Sequence, residues 1–154
     1  MREIVIIDTS IFLNILDIPG RNQDRESILD ETERLFSKET TSILLPLATI
    51  LESGNHIAHV SDGRMRRQSA HRFAEQVEAA VNGRAPWRPT RAITSVELSR
   101  LMTRFPDAAM REIGLGDLSI VHEWETACEL HPRYRVRIWS LDRHLAGYDR
   151  VALD

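Results

Sequence analysis

A single cysteine leaves Cys128 without a pairing partner, so the sequence excludes an internal disulfide and any metal site built on clustered thiolates. Cys128 lies in a helical pattern, where packing is its expected role. No apolar run approaches the roughly 20 residues needed to cross a bilayer, so no membrane partner is expected. Nor does a leader pattern open the chain, because Met1-Arg2-Glu3-Ile4 runs straight into a strand-like segment. A reducing cytoplasm is the expected compartment. Internal repeats, low-complexity tracts and long linkers are lacking, and 154 residues suit one domain over 1–154.

Strong net charge is lacking too, but the charge is unevenly spread. The formal balance is −3, whereas residues 64–91 hold seven arginines against Glu75 and Glu78. That local excess of +5 leaves −8 for the rest of the chain. Such asymmetry is consistent with a phosphate-attracting face beside an acidic site, and equally with a solvated helix surface.

Glu3-Ile4-Val5-Ile6-Ile7 is a β-branched apolar run, predicting a buried strand that ends at Asp8. Asp24 to Lys38 predicts a helix with Ile28, Leu29, Leu35 and Phe36 on its apolar side. Ser42 to Leu45 is a second buried strand, and Pro46 suits the first turn of a helix running towards Val60. Asp62 is a candidate N-cap for a helix to about Val81, with Met65, Ser69, Phe73, Val77 and Val81 as an inward stripe. Pro86 and Pro89 predict a loop over Ala85–Arg91. Helices are expected at Ser95–Phe105 and Asp117–Leu130, and strands at Tyr134–Leu141 and about Arg150–Leu153. Strands separated by helices imply an α/β sandwich around a mostly parallel sheet of four or five strands.

In such sheets ligands bind beyond the carboxyl ends of the strands. Asp8 ends the first strand, and Asp142 follows the strand containing Ile138-Trp139-Ser140. Glu52 lies early in the helix after the second strand, and Asp117 follows Gly114-Leu115-Gly116, whose glycines allow a close approach. Four acids distant in sequence can thus converge. Taken singly, Asp8 and Asp117 also read as helix N-caps, and Asp142 as the start of a turn. Glu52, between Ile50-Leu51 and Ser53-Gly54 in a helix with buried neighbours, is harder to explain structurally.

Together the four contexts resemble one family. Ile6-Ile7-Asp8-Thr9-Ser10-Ile11-Phe12 resembles the first motif of PIN domains, and Pro46-Leu47-Ala48-Thr49-Ile50-Leu51-Glu52 the second. Gly114-Leu115-Gly116-Asp117-Leu118-Ser119-Ile120-Val121 is similar to the third, and Trp139-Ser140-Leu141-Asp142-Arg143-His144-Leu145 to the last. The motifs keep the family's order from residue 4 to about 145. Two departures are small: Leu145 stands for an aromatic, and Ser140 for the commoner threonine. The section at about 60–95 is enlarged relative to compact toxin-type members.

The resemblance implies a three-layer α/β/α sandwich and a Mg²⁺- or Mn²⁺-dependent endoribonuclease. Hard carboxylate oxygens suit those ions. Asp8 and Asp117 would be the principal ligands, with Glu52 direct or through water and Asp142 serving a second ion or a bridging water. One or two ions would activate a water for in-line attack on RNA, leaving a 5′-phosphate and a 3′-hydroxyl. Ser10 and Ser140 would orient carboxylates. His144, Arg64, Arg67, Arg88 and Arg91 are candidates for phosphate or RNA contact, and Trp87 either stacks on a base or packs inward. An antitoxin partner and a homodimer are further implications. Two alternatives are a catalytically silent PIN-fold interaction module and an RNA-processing PIN nuclease without an antitoxin. A haloacid dehalogenase-type phosphatase is disfavoured because Ser10 stands where its second acid is needed. A Rossmann nucleotide binder is disfavoured because no glycine-rich turn follows the first strand.

Overall fold

A computed structural model describes residues 1–152 of the chain. Its sheet has the order β3-β2-β1-β4-β5. The central strand β1 is Glu3–Ile7, buried throughout. It pairs in parallel with β2 (Thr41–Leu45) and with β4 (Arg135–Trp139). β3 (Trp87–Pro89) extends the parallel array beyond β2, and β5 (Asp149–Arg150) is antiparallel to β4.

Alternation along β1 builds two cores. Val5 and Ile7 point to the face covered by α1 (Thr9–Ile15), α2 (Arg25–Phe36) and α4 (Gly63–Val81). Ile4 and Ile6 meet Ile120 and Val121 of α6 (Leu115–Leu130), which packs against α5 (Ser95–Met110). α3 (Leu47–Ala58) touches both cores, through Ile57 and Ala48. A short α7 (Arg143–Ala146) follows β4. The result is a three-layer α/β/α sandwich with a mostly parallel five-stranded sheet. Among the described residues no helix is long and apolar enough to cross a membrane.

Several local expectations need correction. The segment expected as a loop at Ala85–Arg91 contains β3, because Pro89 lies on an edge strand that can spare an N–H. Trp87 is buried edge-on against Phe12, with ring centroids 5.9 Å apart, so it offers no stacking surface. On α4, Phe73 and Val77 join the core, but Met65 and Val81 are exposed. Residues four apart drift about 40° per step around a helix of 3.6 residues per turn, so the ends of that stripe leave the core face. α5 passes through Pro106 to Met110 instead of stopping at Phe105. The last strand is confined to Asp149–Arg150, and Leu153 lies outside the described residues.

Candidate metal centre at the carboxyl edge of the sheet

From β1 the sheet extends one way through β2 and the other way through β4. The carboxyl ends of β1 and β4 therefore flank a topological switch point, where open α/β sheets place their ligands. A cavity of about 280 Å³ opens there, and Asp8, Glu52, Asp117 and Asp142 all line it. The four acids come from four separate elements.

Asp8 stands at the N-cap position of α1, yet its side chain caps no backbone N–H. Its Oδ2 instead accepts hydrogen bonds from Ser10 Oγ (3.0 Å) and Ser140 Oγ (2.7 Å). Those hydroxyls in turn accept from Leu141 N and Asp142 N, at 3.0 and 2.9 Å. The two serines so lock a 5%-exposed carboxylate between β1 and β4. Asp142 does cap, accepting from His144 N at 2.9 Å, and remains exposed at the rim.

Glu52 is half-buried on α3, and its Oε2 accepts from Thr9 Oγ1 at 2.9 Å. Thr49 Oγ1 donates to Ile7 O at 2.8 Å, fixing the start of α3 against the end of β1. Gly116 makes the approach of Glu52 possible. A Cβ at that position would land on Glu52 Oε1 and lie 2.9 Å from Cδ.

Asp117 lies in the first turn of α6, three residues past the N-cap Gly114, and makes no side-chain hydrogen bond among the described residues. Helix geometry alone would favour its ionised form there. Burial and the neighbouring charges of Asp8, Glu52 and Asp142 win instead, pushing its carboxyl up to about 6. An unpartnered acid with its proton affinity raised by three others is a site short of positive charge.

Serine and carboxylate oxygens with no sulfur or imidazole cage form a donor set for a hard cation. Among the described residues, no three acidic, histidine or cysteine side chains stand close enough to close on one ion as they are. Mg²⁺ needs no such cage, since it commonly binds through one or two carboxylates and keeps several waters. Asp8 and Asp117 fit that minimal set.

The expected RNA-contact residues lie elsewhere. Arg64 and Arg67 are exposed on α4, Arg88 donates to Ser42 Oγ at 3.2 Å, and Arg91 is bonded to Glu97. None of them, nor His144, lines the acidic cavity. His144 is still near enough to lower the Asp117 pKa slightly against the other causes. Sequence reasoning missed Thr9, Asn14, Arg21 and His56, which do line it. Only Asn14 had a signal, as a lone amide inside the apolar run Ile11–Leu16.

The fold and the cavity together define a doubly wound α/β protein with an acidic pocket at its switch point. Among solved structures the chain is similar to FitAcB from Neisseria gonorrhoeae, with a TM-score of 0.58 and 16% identity over 96% of this chain and 94% of that one. It is also similar to FitAB bound to an IR36 DNA fragment, with a TM-score of 0.54 and 16% identity over 97% and 93%. At that identity the likeness is one of fold. No protein-family model matches the chain, and no curated protein matches it by sequence.

Proposed function

We propose that this chain is a PIN-type ribonuclease that hydrolyses RNA phosphodiesters with Mg²⁺ or Mn²⁺, acting as the toxin of a toxin–antitoxin pair. The observation that carries this reading is the meeting of Asp8, Glu52, Asp117 and Asp142 in one open cavity at the sheet's switch point. The four ordered motifs and the whole-chain fold likeness to FitAcB and FitAB support it.

Asp8 and Asp117 would hold the ion, assisted by Glu52 and Asp142 directly or through water. What a divalent ion supplies when bound is charge for the phosphate oxygens and a more acidic water. The chain's own contribution is positional. Ser10 and Ser140 fix the Asp8 rotamer, Thr9 fixes Glu52, and Gly116 leaves room for that carboxylate. Asp117 has to be ionised to serve as a ligand, and it loses its proton only near pH 6.

The direct assay is incubation of single-stranded RNA with the protein and Mn²⁺, repeated with EDTA. Cutting that EDTA abolishes, with 5′-phosphate ends, supports the reading. Intact RNA at all Mn²⁺ concentrations leaves the interaction-module alternative ahead. A short adjacent gene whose product silences the cutting would establish the antitoxin half.

The raised Asp117 pKa gives a signed pH dependence. In the metal-free fold this carboxyl holds its proton more tightly than in an unfolded chain, where about 3.9 is usual. Its stabilising contribution is complete below about pH 4 and is lost as the pH rises through about 6. Metal binding runs the other way, because the ion displaces that proton. Asp117 alone is expected to weaken Mn²⁺ binding by about tenfold between pH 7 and pH 5. Calorimetric titration checks this, and the Tm gain from added Mn²⁺ should shrink in parallel.

A further inference from the structure

The acidic cavity carries one permanent positive charge in its wall, Arg21. Among the described residues the only other basic one there is His56, one turn of α3 beyond Glu52. Arg21 is exposed, and its guanidinium forms no hydrogen bond or ion pair with another described residue, the nearby acids included.

The turn that presents Arg21 is firmly held. Ile18, 1% exposed, anchors it, and Arg21 N donates to Ile18 O at 2.9 Å. Gly20 supplies the left-handed φ of +78° that the turn requires. Asn22 and Gln23 amides bond back to Asp17 Oδ1 and Gly20 O, at 2.8 and 2.9 Å. From α4, Arg72 braces the carbonyls of Leu16 and Asp17 at 3.0 and 2.9 Å. Asn14, 3% exposed, then ties this turn to the metal centre. Its Nδ2 donates to Ser10 O at 2.8 Å, and its Oδ1 accepts from Asp24 N at 3.0 Å. The first turn of α1, which holds Asp8, and the Arg21 turn are thereby set relative to each other.

Resting on the ribonuclease reading, we propose that Arg21, presented by this fixed turn, is the phosphate-binding residue of the cavity. Its guanidinium holds a non-bridging oxygen of a phosphate beside the scissile one in single-stranded RNA. The electrostatic reason is direct. A pocket lined by four carboxylates and Asp24 repels a polyanion, and an ion bound at Asp8 and Asp117 would offset that repulsion chiefly for the phosphate nearest to it. The neighbouring phosphate needs its own cation, and arginine's planar fork suits two phosphate oxygens.

The test compares steady-state cleavage of a single-stranded RNA by the unchanged protein, Arg21→Ala, Arg21→Lys and Arg133→Ala, with Mn²⁺. Arg133 is exposed before β4, at the opposite edge of the sheet, and controls for net charge. Arg21→Ala is expected to raise KM about tenfold with kcat within about twofold, and Arg21→Lys to fall between. The salt dependence of log kcat/KM should become shallower by about 0.7 per log unit of salt, the share of one single-strand phosphate contact. Arg133→Ala should match the unchanged protein. Arg21→Ala with an unaltered KM and salt slope overturns the proposal while the nuclease reading stands. So does an equal loss in Arg133→Ala. An unchanged protein that leaves RNA intact removes both.

Discussion

Asp8→Asn is expected to lower metal-dependent RNA cleavage by about 10²–10³-fold while raising the melting temperature of the metal-free protein. The two effects have one cause. Asp8 is a buried carboxylate facing three others, held there by two serine hydroxyls that an asparagine oxygen can still accept from. Removing its charge relieves both desolvation and repulsion among the four acids in metal-free protein. It also removes the anion around which an ion would be centred. Of the neighbouring charges Asp8 raises the Asp117 pKa most, so that carboxyl should fall from about 6 towards the ordinary range in the variant. Cleavage kinetics, thermal melts and carboxyl NMR titration check the three consequences. A variant that loses both activity and stability would show that Asp8 is structural.

Gly116→Ala should separate stability from activity in the same direction. Gly116 is the second residue of α6 and has no left-handed φ, so alanine meets no backbone strain there. In a helix alanine is favoured over glycine by up to about 1 kcal/mol. The new methyl, however, occupies the position of Glu52 Oε1. Glu52 is a flexible side chain and can swing away, leaving its hydrogen bond from Thr9. The fold therefore tolerates the change and the carboxylate does not. Cleavage is expected to drop about 10–100-fold, the scale for disturbing a ligand's support, with an unchanged or slightly higher Tm. Gly114→Ala is the control, because a Cβ there meets nothing within 4 Å. Matching losses in the two variants would mean that the α6 start, not Glu52, is at fault.

The parts of this arrangement that the sequence revealed are those where one physical cause dominates. β1 is a continuous buried run, β2 an apolar run that buries Ile43 and Leu45, and their parallel pairing follows from the helices lying between them. Asp8 and Asp142 could be placed at one edge because Asp8 directly follows β1 and Asp142 lies three residues beyond the end of the parallel strand β4. β3 was hidden because proline usually forbids a ladder, and an edge position lifts that prohibition. Capping and metal ligation need the same residue types, so sequence could not choose between them. The structure distinguishes the cases: Asp142 caps, Asp8 is bonded to serines, and Asp117 has no side-chain hydrogen bond among the described residues. Arg21 left no signal at all, since an arginine in a turn carries no periodicity. Its placement depends on Asn14 and Arg72, contacts that span 10 and 56 residues of chain.

The proposed ribonuclease needs a divalent ion bound between Asp8 and Asp117 in this acidic cavity. Anomalous diffraction from crystals grown with Mn²⁺ tests it most directly. A manganese peak is expected inside the cavity, within about 2.0–2.3 Å of an oxygen of each of these two residues, and no such peak in Asp8→Asn. Manganese bound only elsewhere, or an empty cavity in crystals soaked at saturating Mn²⁺, would contradict it.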